Sequence, residues 1–226
     1  PHNPFYGAPF QLNLFNFDPS MQYGPENVTI IHGDILQLSL RELFQEHFAH
    51  CRSVHVVANL PYYATSPIIM HLLEAELPLD SIVIMIQKEV AERICASPGG
   101  KDYGSLSVAV QFYCEPEIVT IVPSTAFIPK PAVHSAVIRL QIRKEPAVQV
   151  DDRKFFFKTV RSSLAQRRKT IYNNLLSAFA QDLEKQQLQA VLERAGIDPA
   201  RRGETLSLQE FAALANTLWR EIEGKR

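Results

Sequence analysis

The chain has 226 residues, 46% hydrophobic and 21% charged, with a net charge of −1, a composition that suits one large globular domain or two modest ones. No apolar run reaches the ~18 residues of a membrane span, and no basic segment followed by an apolar one opens the sequence, so a protein of the cytoplasm or of an organelle interior, without a membrane partner, is expected, the cytoplasm first. The three cysteines, Cys51, Cys95 and Cys114, form no CxxC pair, which argues against a zinc site or a disulfide framework; they are expected in the core, and no metal is expected.

The near-neutral total hides an asymmetry. Residues 1–140 carry 7 Lys and Arg against 13 Asp and Glu, whereas residues 141–226 carry 16 against 11. A change of sign between halves predicts two modules, the second facing a polyanion.

In chain order, residues 1–26 show neither helical nor strand periodicity and read as an irregular arm or a foreign segment. "VTIIHGD" (28–34) predicts a short strand. "SLRELFQEHFAH" (39–50) predicts an amphipathic helix with Leu40, Leu43, Phe44 and Phe48 on one face. "VHVVANL" (54–60) is a continuous apolar run suited to a central parallel strand. "SPIIMHLLEAE" predicts a helix with Ser66 as N-cap and Pro67 at its first position. "SIVIMIQ" (81–87) predicts a strand and "KEVAERICAS" a helix closed by Pro-Gly-Gly. "LSVAVQFYCEPEIVTIV" is expected to hold two strands broken near Glu115-Pro116, and "SAVIRLQI" a further one. From there the pattern turns helical, near 152–164, 168–181, 184–195 and 207–222. Strand–helix alternation followed by strands is the second half of a doubly wound α/β sheet.

Such sheets bind ligands at the carboxyl ends of their strands, where this sequence places Asp34, Asn59 and Gln87. Asp34 suits either a helix cap or an acceptor for a ligand N–H. The turn Asn59-Leu60-Pro61-Tyr62 is rich in acceptors, because Pro61 brings no N–H, and Tyr62 adds a stacking face. Acceptors around an aromatic platform suit the exocyclic amino group of a nucleobase; the plainer alternative is an ordinary turn. "STAFIPKPAVHSAVIRL" (124–140) stiffens a loop with Pro129 and Pro131 after Phe127, which either covers the opposite face of the same ring or packs in the core. "RKFFFKTVRSSLAQRRK" (153–169) holds seven basic residues and no acid, favouring phosphate binding over a merely solvated helix face. The histidines show no HxxxH or HExxH spacing, and no nucleophile–base pair suggests a hydrolase.

The motifs "GDIL" (33–36), "NLPYYATSPII" (59–69), "QKEVAERI" (87–94), "YGSLSVAVQFY" (103–113), "FIPKPAVHSAVIRL" (127–140) and "RSSLAQRRKTIYNNL" (161–175) together resemble the KsgA-type ribosomal RNA adenine N6-dimethyltransferases, from about residue 28 to the C-terminus. The resemblance implies a Rossmann-like α/β methyltransferase sheet, with its first strands missing, followed by a smaller all-α domain. The implied division is 1–26 (arm), 27–145 (partial catalytic domain) and 146–226 (helical RNA-binding domain). It implies S-adenosylmethionine as cofactor, with Asp34, Ile35 and Asn59 on the cofactor side. Leu60 and Pro61 would offer main-chain acceptors to the target N6, and Tyr62 and Phe127 would stack on the base. Lys130, Arg161, Arg167, Arg168 and Lys169 would meet RNA, and the implied partner of a monomeric enzyme is the small ribosomal subunit. The family's Gln-Asn-Phe-type motif and Gly-rich turn have no counterpart here; the sequence contains no GxGxG. Two alternatives stand beside this reading: a non-catalytic RNA-binding assembly factor, or an adenine methyltransferase of another nucleic acid. Leu60 disfavours DNA as that substrate, because DNA enzymes more often carry Asp/Asn-Pro-Pro-Tyr.

Overall fold

The computed structural model describes residues 29–223; the expected arm over 1–26 lies outside them. The chain divides into two compact units, one comprising residues up to 88 and 118–142, the other residues 89–117 and 143 onward. Each gathers sequence from both sides of the other, so no single cut separates them.

In the first unit, helix α1 (Leu40–His47) precedes strand β1 (His55–Asn59), helix α2 (Thr65–Glu74) and strand β2 (Ser81–Gln87). Strand β3 (Cys114–Val122), which belongs to this unit from Ile118 onward, and β4 (Ser135–Ile142) complete a sheet of order β1-β2-β4-β3. β2 runs parallel to β1 and antiparallel to β4. Ile82, Ile84 and Ile86 of β2 are fully buried, as are Ala136, Ile138 and Leu140 of β4. Burying each isoleucine contributes about 1.5–3 kcal/mol, so this strand pair is the core of the unit.

Several expectations need correction. Residues 29–34 form no strand, and Ile30 is exposed. A doubly wound order of 3-2-1-4-5-6 puts two strands between the third and the fourth. With no strand among the described residues to stand between them, this segment has no ladder to join. For the same reason β1 is an edge strand of the described sheet rather than a central one, and only Val56 within it is buried. Helix α1 buries only Leu40. Helix α2 begins at Thr65, because a 3-10 turn over Tyr62–Ala64 runs straight into it. Ser66 is therefore inside the helix rather than its cap, while Pro67 still lies in the first turn, where its missing N–H costs nothing.

In the second unit the apolar run "SLSVAVQFY" is helix α4 (Ser105–Tyr113), preceded by α3 (Lys88–Ile94). A fully buried helix and a buried strand share the same lack of periodicity, and Ser107 decides the matter here: its hydroxyl accepts the Gly104 N–H at 3.0 Å and donates to the Arg93 carbonyl at 2.5 Å. No break occurs at Pro116, which lies inside β3; an outer strand tolerates a residue without an N–H. Of the cysteines only Cys114 is buried, while Cys51 is exposed and Cys95 half-buried.

The predicted C-terminal helices appear as α5 (Arg153–Ser163), α6 (Ile171–Ala178), α7 (Lys185–Arg194) and α8 (Leu208–Glu223). Asp152 caps α5 by accepting the Phe155 N–H at 2.6 Å. All three consecutive phenylalanines of α5 are buried, because the helix has aromatic neighbours on several sides. Phe112 lies 5.1 Å from Phe156 and 5.3 Å from Phe157, and Phe155 lies 5.1 Å from Trp219 and 5.6 Å from Phe179. Ser207 and Glu210 form a reciprocal capping box at the start of α8, with N–H to side-chain oxygen distances of 2.8 and 3.2 Å. Arg201 forms an ion pair with the same Glu210.

Gly203 approaches α5 so closely that a Cβ there would stand 2.3 Å from the Ser163 carbonyl oxygen. Gly203→Ala is expected to destabilise the protein by about 1–3 kcal/mol, read as a lower urea midpoint at unchanged slope. Hydrogen bonds from Arg201 and Ser207 hold the Glu210 carboxyl down at about 2 from an ordinary 4.5. A depressed folded-state value gives stability that is complete above 4.5 and lost as pH falls toward 2. Between pH 5 and 2 the wild type should therefore lose more thermal stability than Glu210→Gln, measured as the difference in Tm at each pH.

Candidate functional site

Because β1 and β2 are parallel and β4 runs back along β2, the ends of β1 and β2 and the start of β4 share one end of the sheet. Asn59 pairs with Met85, and Gln87 pairs with Ser135. The Leu60 N–H extends the ladder to the Met85 carbonyl at 3.2 Å, and its side chain is buried. Asn59, immediately before it, is exposed. The Pro61 carbonyl accepts both the Ala64 N–H and the Thr65 hydroxyl, each at 3.1 Å. These two bonds commit the Pro61 carbonyl to the turn, so the main-chain acceptor that faces a ligand most readily is that of Leu60. The acceptors left on this strand end are the Asn59 amide oxygen and the Leu60 carbonyl.

Tyr62 is partly exposed, and its hydroxyl lies 2.9 Å from the Ser135 hydroxyl. The second sequence motif enters at the same point. Phe127 is half-buried after a 3-10 turn over Ser124–Ala126. That turn is fixed by His134: its Nδ1 accepts the Ser124 N–H at 3.0 Å, and its carbonyl accepts the Lys88 N–H at 3.0 Å. Nδ1 accepts, so the neutral ring carries its proton on Nε2. His134 escaped sequence reasoning, which looked for paired histidines; its signal was its place directly before Ser135. Lys130 is exposed between Pro129 and Pro131.

Asp34 does not cap α1. Its Oδ1 accepts the Leu36 N–H at 3.0 Å and its Oδ2 the Gln37 amide at 3.3 Å, an Asx turn that leaves each oxygen one further lone pair. Ile35 is buried. Among the described residues, no group of His, Cys, Asp and Glu is arranged to hold a metal ion.

In the second unit Arg161, Arg168 and Lys169 are exposed. Arg167 is engaged: its guanidinium donates to the carbonyls of Lys101 and Gly100. These bonds latch the glycine turn 97–102, and the exposed guanidinium keeps further N–H donors. The basic turn itself hangs on buried Asn174, whose amide donates to Ser163 at 2.9 Å and Gln166 at 3.1 Å. Lys158 stands 4.7 Å over the Phe179 ring, a cation–π contact. Arg167→Ala is expected to speed tryptic cleavage after Lys101 severalfold relative to wild type, whereas Arg168→Ala leaves that rate unchanged; time-resolved mass spectrometry of the digest checks this.

An open α/β sheet that carries Asn59 and Tyr62 at the carboxyl end of its parallel strands is a Rossmann-like fold with its ligand end there. The ribosomal RNA adenine dimethylase family model matches residues 14–218, and the chain belongs to this family. The match begins upstream of residue 28, where the motifs themselves begin. Among curated relatives, the ribosomal RNA small subunit methyltransferase A of Bacillus licheniformis is 54% identical over 198 residues, covering 87% of this chain and 68% of the relative. Its namesake from Geobacillus sp. is 54% identical over 202 residues, covering 89% and 69%. Two solved structures share the fold. A dimethyladenosine transferase from Plasmodium falciparum has a TM-score of 0.63 at 22% identity, covering 77% of this chain and 74% of that one. The 23S rRNA methyltransferase ErmE has a TM-score of 0.53 at 24% identity, covering 80% and 76%.

Proposed function

We propose that the protein dimethylates adenine N6 in small-subunit ribosomal RNA, with S-adenosylmethionine as donor; its family model is that of ribosomal RNA adenine dimethylases, and its relatives are named small-subunit ribosomal RNA methyltransferases. The observation that carries the reading is the strand end at Asn59-Leu60, where a side-chain and a main-chain acceptor stand beside the Tyr62 ring. The residues present fit the donor: Asp34 retains acceptor capacity for an amino group, and Asn59 is accessible at the end of β1. S-adenosylmethionine supplies, when bound, a methyl group on a positively charged sulfur.

The chain's own residues address the nucleophile. The N6 lone pair of adenine is delocalised into the ring. Accepting the N6 protons at the Asn59 amide oxygen and the Leu60 carbonyl favours a pyramidal nitrogen with its lone pair free to react, and the displaced proton passes to solvent. Extruding the base from its stack costs a few kcal/mol, which stacking on Tyr62 and Phe127, worth about 1–3 kcal/mol per base, partly offsets. Arg161, Arg168, Lys169 and Lys130 serve as phosphate contacts, a sequence-independent and salt-sensitive contribution to affinity. On this reading residues 27–145 hold the catalytic groups and 146–226 most of the RNA contacts of a cytoplasmic monomer, while residues 89–117 pack with the C-terminal helices. Among the described residues no helix is long and apolar enough to cross a membrane.

The test is methylation of small-subunit ribosomal RNA by the full-length protein, with N6,N6-dimethyladenosine as product by mass spectrometry. Asn59→Ala is expected to lower kcat/KM at least ~10²-fold with RNA affinity retained. A fully active Asn59→Ala protein refutes the reading.

A further inference from the structure

We propose that Ser135 is a positioning residue of the adenine site, acting through the Tyr62 hydroxyl to hold the stacking ring in place. The inference rests on the function proposed above and adds a residue to it.

Ser135 is 1% exposed and Tyr62 39% exposed, and their hydroxyl oxygens are 2.9 Å apart. The contact joins residues 73 apart in sequence. It also joins the two motifs that supply the two aromatic walls. A partly exposed tyrosine ring at a strand end otherwise swings about its side-chain torsions, and a tethered phenol removes that freedom before a base arrives. Ser135 itself has little freedom: it opens β4, pairs with Gln87, and its neighbour His134 anchors the turn before Phe127. One dipeptide, His134-Ser135, thus holds the Tyr62 ring directly and the Phe127 loop through its adjacent residue.

A buried serine hydroxyl whose partner is a partly exposed phenol contributes less to the core than to the ring it restrains. A hydrogen bond of this kind has a net worth that corresponds to about three- to tenfold in rate. The loss should fall on kcat, because RNA affinity is dominated by phosphate contacts elsewhere.

The experiment is a double-mutant cycle in the full-length protein, measuring dimethylation of small-subunit ribosomal RNA with kcat and KM resolved and Tm recorded for each variant. Ser135→Ala and Tyr62→Phe should each lower kcat about three- to tenfold with KM for RNA unchanged. The double variant should be no worse than either single one, and Ser135→Thr, which restores a hydroxyl, should recover part of the rate. Tyr62→Phe leaves the buried serine in place, so it reads the contact even if Ser135→Ala folds poorly. Unchanged kcat in Tyr62→Phe, or independent multiplicative losses in the double variant, overturns the positioning role while leaving the proposed reaction standing. A wild type that methylates no adenine overturns the reaction and the role with it.

Discussion

The site depends on β2 being hydrogen-bonded along both edges with opposite polarity. Its parallel partner β1 delivers Asn59 outward at the carboxyl end, and its antiparallel partner β4 starts at that same end with Ser135. Reversing either neighbour would send one motif to the far end of the sheet. The fully buried isoleucines of β2 fix its register against both neighbours, since a slip of one residue would turn every side chain to the wrong face. The core packing and the placement of the acceptors are therefore one constraint.

Much of the fold was legible because periodicity was unambiguous. The four C-terminal helices lie within a few residues of expectation, and Asp152 and Thr170 cap α5 and α6 as short polar side chains at those places do. Legibility failed where burial erased periodicity. "LSVAVQFY" carries apolar residues on all sides and reads equally as strand or helix; only the reach of Ser107 to its own N-cap settles it. It failed again at residues 29–34, whose β-branched composition suits a strand but whose pairing partner is a property of the whole sheet. Local propensity does not supply a ladder.

For the site, residue types were readable and their prior commitments were not. Asn59, Leu60 and Tyr62 present acceptors and a ring as their chemistry suggests. Pro61 and Arg167 look uncommitted in sequence, yet the Pro61 carbonyl closes the turn and the exposed Arg167 guanidinium also holds a glycine loop. The residues that organise the basic turn and the Phe127 loop, Asn174 and His134, lie within quoted motifs, but their residue types do not mark them out from their neighbours. Both act by satisfying backbone groups that the turns leave unpaired.

Pro116 within β3 bears on association between molecules. The strand stands at one end of the sheet order, and Val119 and Ile121 along it are exposed. A long apolar border of that kind would template an intruding strand from another copy of the chain. Pro116 offers no N–H to such an intruder, and the carboxylates of Glu115 and Glu117 flank it on either side. The same imide that the sequence suggested as a break leaves this strand one N–H short.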